Sequence, residues 1–327
     1  YYDQVIQQIK DSLGIPAKEK IPAILLSDYI ENNSKNDDAK FESKTKIAVV
    51  VAQGDIVPGQ GDESNIGSDK YARLFRDLRN DETVKGIVFR LNTGGGSSLA
   101  SESIWREVQL TAKEIPVVIS MGDYCASGGY YVACPASTIL ANPNTLTGSI
   151  GVYCILFDSS KMLDNFGVST DVVMTYMYSY IGTITRKLSP YEENAIRKEV
   201  DNTYTKFVQH VAKGRKLTPS FIDSIGQGRI WGGEDAINLG LVDLKGGLHI
   251  AIDLTAEKAK VASGYDVVYY PKEENAFEAI MKGFKTKMTE NAMDEYIGEY
   301  KEYIQAFQQM KNQQGVQMRL PFIMKIE

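Results

Sequence analysis

IPVVISMGDYCASGGYYVAC, residues 115–134, is the stretch that decides the fold. Its first part, IPVVIS at 115–120, is β-branched and apolar like a buried strand. Gly128 and Gly129 then allow close backbone approach, and the short apolar run after them, broken by Pro135, fits a helix. A strand, a tight turn and a helix opening at Ser127 aim the serine Oγ outward, beside backbone N–H groups that lack an intrahelical partner. That arrangement suits an acyl-transfer nucleophile. The same position also suits an ordinary N-cap, so the serine by itself does not settle its own role.

A second junction of the same kind lies upstream. GIVFRL at 86–91 is another strand-like run, and it ends in NTGGGSS at 92–98. Consecutive glycines directly after a buried strand indicate backbone that approaches something closely or takes a positive φ, and its N–H groups suit an oxyanion hole. Further strand-like runs fall at 46–52, 116–120, 138–141 and 171–176, separated by helical patterns at 68–79, 99–113 and 128–134. Alternation of this kind predicts an α/β fold with a largely parallel sheet.

Residues 1–13 have a helical pattern, and the polar, charged stretch from Asn32 to Lys46 reads as a linker. Ser189 and Pro190 open a long helix to about Gly214, with Glu192 and Glu193 well placed for its N-terminal dipole. Pro219 begins a shorter helix, and GRIWGGEDAINLGLVD at 228–243 supplies a turn, a helix from about Gly233 and a closing strand, with Trp231 either lining a substrate groove or, more commonly for an aromatic between glycines, anchoring the packing. After Tyr270 the pattern is helical and charged through Gln314. The apolar tail GVQMRLPFIMKIE either packs on a neighbouring subunit or frays. Expected boundaries are a helical segment and linker at 1–45, a core domain at 46–265 and a helical extension with its tail at 266–327.

Composition narrows the function classes. At 327 residues and 43% hydrophobic the chain can bury a large core, and a formal charge of −6 argues against a general nucleic-acid surface. No run approaches the roughly 20 apolar residues of a bilayer span. Cys125, Cys134 and Cys154 lack metal or redox spacing and read as small buried hydrophobes; Cys125 is a rival nucleophile without an evident activating group. His210 and His249, the only histidines, have no ligand partner at i+3 or i+4 and no evident reach to Ser127.

RLNTGGGSSLASE (90–102), MGDYCASGGYYVAC (121–134), ANPNTLTGSIGV (141–152) and GRIWGGEDAINLGLVD (228–243) together resemble the signal peptide peptidase A family, also called protease IV. These are serine proteases of the Clp protease and crotonase superfamily, and the likeness runs over about residues 45–265. More specifically the chain resembles the second half of the long, duplicated form, with residues 1–33 similar to the end of a first half. The resemblance implies a spiral of repeated ββα units and no cofactor. It further implies Ser127 as nucleophile, oxyanion donors at Gly128 and Gly95 or, less readily, Gly96, and a Ser–Lys dyad.

Aligning SYIGTITRKLSPYEENAI (179–196) with the short family form puts Ser179 where the base would stand. In the long form the lysine lies in the first half, so the base is expected outside this chain; Lys187 and Lys161 are the local alternatives, in polar surroundings. The opening YYDQ, without Met, fits a processed product or a piece of a longer chain. The implied substrates are cleaved signal peptides bound along exposed strand edges. Implied partners are the lysine-bearing first half, further copies of the chain, and a bacterial inner membrane held through an upstream anchor, with the catalytic part on its periplasmic side. Two alternatives stay open: a non-catalytic assembly half, and a crotonase-type acyl-CoA enzyme.

Overall fold

The computed structural model describes residues 2–16, 45–177, 179–261, 264–271 and 315–319. The chain divides into two compact units, Tyr1–Ser43 and Lys44–Glu327. The described element of the first is helix α1 (Tyr2–Leu13), where the periodicity placed it.

In the second unit three successive repeats each begin with a long strand and end in a helix, and the first two place short strands between them. The first is β1 (Lys46–Gln53), β2 (Asp55–Val57) and β3 (Asn65–Gly67), followed by α2 (Ser68–Asn80). The second is β4 (Val84–Thr93), β5 (Gly95–Ser97) and α3 (Ser98–Thr111). The third joins β6 (Val117–Ala126) directly to the short helix α4 (Gly128–Ala133). Strands β7 (Thr138–Ala141), β8 (Leu146–Gly148) and β9 (Tyr153–Ile155) follow, then α5 (Ser160–Asn165). The long helix α6 (Pro190–Arg215), α7 (Pro219–Ile225), β10 (Ile230–Gly232), α8 (Gly233–Asn238), β11 (Leu244–Lys245), α9 (Leu248–Lys258), β12 (Asp266–Tyr270) and β13 (Gly315–Arg319) complete the described elements.

The large sheet runs β10-β8-β6-β4-β1-β12, with β7 pairing β6 and β11 pairing β7. Its pairs are parallel except β10 with β8. A parallel sheet covered on both faces reads as near-continuous apolar sequence, which is why β1, β4 and β6 were legible. Alternate residues part to opposite faces. Ala48, Val50, Phe89, Leu91, Ile119 and Met121 join the core under α2, α3, α4 and α6, where Phe75 meets Phe89 edge-on at 4.8 Å. Ile47, Val49, Val88 and Val118 face the other way, onto Ala251, Ile252 and Ala256 of α9.

Two expectations are corrected. Residues 171–176 form no strand; Val173 is 97% exposed, and a β-branched run without a neighbouring edge has no ladder to join. The tail is not frayed at 315–319, because β13 closes a smaller sheet in the order β3-β2-β5-β13-β9. The helical pattern expected at 271–314 lies almost wholly outside the described residues, and the described strands β12 and β13 belong to the two sheets.

Candidate active site

Strand β6 ends at Ala126, and Ser127 turns the chain into α4 with φ 51° and ψ −115°. This conformation is strained for a side chain with a Cβ, a cost of about 1–3 kcal/mol that surrounding structure must hold in place. The holding contacts are backbone. Ser127 N–H donates to the Gly148 carbonyl at 2.8 Å, and the Ser127 carbonyl accepts from Tyr131 N–H at 2.8 Å. The side chain caps nothing, which removes the N-cap reading. Ser127 is 1% exposed, and its Oγ lies 3.5 Å from the Gly151 carbonyl oxygen, a distance at the outer limit of a hydrogen bond.

The glycine cluster of the second junction comes directly against this turn. Gly95 has φ +100°, and a methyl group placed on it would fall 2.6 Å from the Gly128 nitrogen and 2.0 Å from the Met318 carbonyl oxygen. A methyl on Gly128 would fall 3.2 Å from the Gly95 Cα, 2.8 Å from the same Met318 oxygen and 2.7 Å from Ser101 Oγ. Both positions therefore require glycine, because three backbone segments converge there. Gly128 N–H, the first of its helix, has no intrahelical acceptor. Gly95 N–H donates to Thr93 Oγ1 at 3.1 Å, so this expected oxyanion donor already has a side-chain partner. Gly96 sits within the ladder between Ile56 and Met318.

The rival chemistries lose ground. Cys125 is fully buried and burial pushes its thiol well above the ordinary range, with Arg90 opposing only in part. Burial likewise pushes Cys134 up to about 12. A buried thiol without an activating cation is inert. His210 packs edge-on against Trp105 at 3.7 Å and lies 3.8 Å from Glu102. Burial lowers its pKa and Glu102 opposes this. His249 is exposed at the start of α9. Among the described residues no group of three His, Cys, Asp or Glu side chains is placed to hold a metal, and no helix is long and apolar enough to cross a membrane.

The base candidates do not converge on Ser127. Ser179 is exposed in a turn, its hydroxyl donating to the Tyr176 carbonyl at 2.7 Å. Lys187 and Lys161 both lie near Asp158, whose carboxyl is held below its usual range first by Ser160 and in smaller part by these lysines. Beside Ser127 instead is an open cleft of about 380 Å³, lined by Gly151, Tyr153, Asp201, Tyr204 and Arg319 among others. Trp231 is a packing residue as expected, its indole N–H donating to the Ile225 carbonyl at 3.0 Å. Sequence reading missed Thr93, Gly151 and Met318. Nothing local marks Met318, since it reaches the site through strand pairing across the length of the chain.

The family model described as Peptidase family S49 matches residues 109–262. Protease 4 of Salmonella typhi is 41% identical over 236 residues, which are 72% of this chain and 38% of that protein. A protein of Synechocystis sp. is 36% identical over 209 residues, 63% of this chain and 72% of its own length. Among solved structures, a ClpP1 mutant of Listeria monocytogenes aligns over 62% of this chain and 94% of its own, with 14% identity and a TM-score of 0.41. The chain spans less than two fifths of the Salmonella protease's length.

Proposed function

Because this chain belongs to peptidase family S49, we propose that it is the nucleophile-bearing part of a serine peptidase whose lysine base arrives from outside the chain. The single observation that carries this is Ser127, held at a strained turn with an uncapped hydroxyl, directly against the Gly95–Gly128 cradle. A substrate peptide lies extended along exposed strand edges near the serine. Ser127 Oγ attacks the scissile carbonyl and passes its proton to a neutral lysine amine. Gly128 N–H, with that of Gly95 or in second place Gly96, holds the developing oxyanion. Gly95 N–H must leave Thr93 Oγ1 to do so. The lysine ammonium then protonates the leaving amine, and water hydrolyses the acyl-enzyme by the reverse route.

The base enters by the cleft beside Gly151, since the described residues place no amine there. Its source in this proposal is a lysine-bearing first half, assembled with this chain and with further copies; a relative more than twice as long as the matched span leaves room for one. Signal peptides left in a membrane after cleavage are the substrate class, and the site works on the extracytoplasmic side.

Reconstitution tests the reading. The upstream half is added to this chain and cleavage of a signal-peptide substrate is followed by mass spectrometry. Activity is expected, and Ser127→Ala should lower it by at least about 1,000-fold, as loss of a nucleophile does in comparable enzymes. Cleavage that survives this substitution, or no cleavage by the reassembled protein, defeats the proposal. Binding of an acyl-CoA without any serine-directed labelling would favour the acyl-CoA alternative instead.

A further inference from the structure

The two sides of the Gly95–Gly128 cradle each run straight into a helix. Gly95 lies in β5, which passes into α3 through the N-cap Ser97, and Gly128 is the first residue of α4. Where the backbones meet, Ser101 Oγ donates to the Ser97 carbonyl at 2.9 Å and stands 2.7 Å from the place a methyl on Gly128 would take. About one turn further along, the two helices meet again: the Tyr131 hydroxyl of α4 donates to Glu102 Oε2 of α3. Tyr131 is also the residue whose N–H closes the first turn of α4 on the Ser127 carbonyl, at 2.8 Å. A six-residue helix is too short to hold its own shape, so its placement comes from what its side chains touch. Tyr131 is 2% exposed, its ring packed edge-on against Phe207 at 4.9 Å and Trp105 at 6.2 Å.

We propose that Tyr131 and Glu102 are positioning residues for the peptidase site, their hydrogen bond fixing α4 against α3 and thereby the Gly128 N–H against the Gly95 side of the cradle. Neither touches substrate; both act through the backbone of Ser127 and Gly128. The inference rests on the serine peptidase reading of that cradle. Burial first, and Glu102 after it, raise the Tyr131 phenol, so the hydroxyl stays protonated and remains the donor. His210 of α6 stands 3.8 Å from the same Glu102 oxygen as a rival partner. Burial lowers its pKa, opposed by Glu102 and helped by Lys213 and Lys206, so near neutral pH the imidazole is uncharged and leaves the carboxylate to Tyr131. The Glu102 side chain is 44% exposed, so removing the tyrosine hydroxyl strands no buried charge.

Hydrogen exchange on the full chain tests the tie without requiring activity. Tyr131→Phe keeps the ring packing, and loss of a hydrogen bond to a carboxylate should speed exchange within α4 by about tenfold or more. Glu102→Ala should do the same, Glu102→Gln, which keeps an acceptor, should recover most of the protection, and exchange in β4 should not change. Unchanged exchange of α4 in Tyr131→Phe, a uniform acceleration that includes β4, or Glu102→Gln matching Glu102→Ala would each overturn the proposal. In the protein reassembled with the upstream half, Tyr131→Phe should lower kcat by about tenfold, less than the loss of a whole oxyanion donor, with KM within about twofold of the parent. The double variant Tyr131→Phe with Glu102→Ala should be no slower than the slower single variant, since the same bond is removed in each. A loss carried in KM, or losses that multiply, overturns the proposal equally. Absence of peptidase activity in the reassembled parent defeats only the catalytic reading, because exchange still decides the tie, and activity with unchanged exchange in Tyr131→Phe defeats only the tie.

Discussion

At Ser127 stability and chemistry pull in opposite directions. A φ of 51° with ψ of −115° suits glycine far better than a residue with a Cβ, yet glycine has no hydroxyl. Ser127→Gly is expected to raise the denaturation midpoint above that of Ser127→Ala, by about 1–2 kcal/mol in stability, while both remove the hydroxyl. Urea unfolding of the three chains measures this, and equal midpoints for glycine and alanine would mean that the turn stores no strain. Gly95→Ala should fail in the opposite sense, because its methyl would meet the Met318 carbonyl oxygen at 2.0 Å. A lowered midpoint together with faster hydrogen exchange in β13 is the expected result. The residues at this site were partly legible: SGG after a strand and GGG after another announced themselves. Thr93 as the partner of Gly95 N–H did not, since a threonine in a strand has many ordinary uses.

Helix α6 shows how much a local pattern can specify. Ser189 accepts from Glu192 N–H at 3.3 Å, Glu192 Oε2 accepts from Ser189 N–H at 2.8 Å, and Pro190 fills the first turn, so the reading from SPYEE held. The preceding segment adds a bidentate pair, Arg186 to Glu192 at 2.7 and 2.8 Å. The Arg186 hydrogen bonds, followed by the Ser189 N–H, hold the Glu192 carboxyl down at about 2 against an ordinary 4.5. A carboxyl depressed on folding stabilises the protein fully above its unfolded pKa, and that contribution fades as pH falls from about 4.5 toward 2. Glu192→Gln should therefore lower the unfolding midpoint at pH 7 and lose most of that effect near pH 2. A difference that stays constant across this range would show that the ion pair is not its source. The apolar run at 171–176 had strand composition but found no edge, which no window of sequence can report.

Across the larger unit, two apolar layers sandwich one largely parallel sheet, and the site lies where long strands give way to a turn and short elements. Phe89→Ala empties the layer beneath α2 and should cost about 3–5 kcal/mol, read as a shift in one cooperative chemical unfolding transition. The proposed function requires a base from outside this chain. Labelling of Ser127 by a fluorophosphonate should accelerate by about 100-fold or more when the lysine-bearing half is present, the scale on which a positioned base acts. Intact-mass kinetics with and without that half check this, and equal rates would place the base within this chain after all.

The sequence by itself determined the alternation of strands and helices, the two glycine-bearing junctions, the place of Ser127 at a strand-to-helix turn and the capped start of α6. All of these rest on periodicity, turn chemistry and caps that act within a few residues. Tertiary structure alone decided that Gly95 meets Gly128, that Cys125 is sealed away, and that residues 315–319 run between β5 and β9 past the serine. Those outcomes depend on which distant backbones pair and approach. Pairing energy of that kind is spread over ladder and packing partners far apart in the chain, so no local composition carries it.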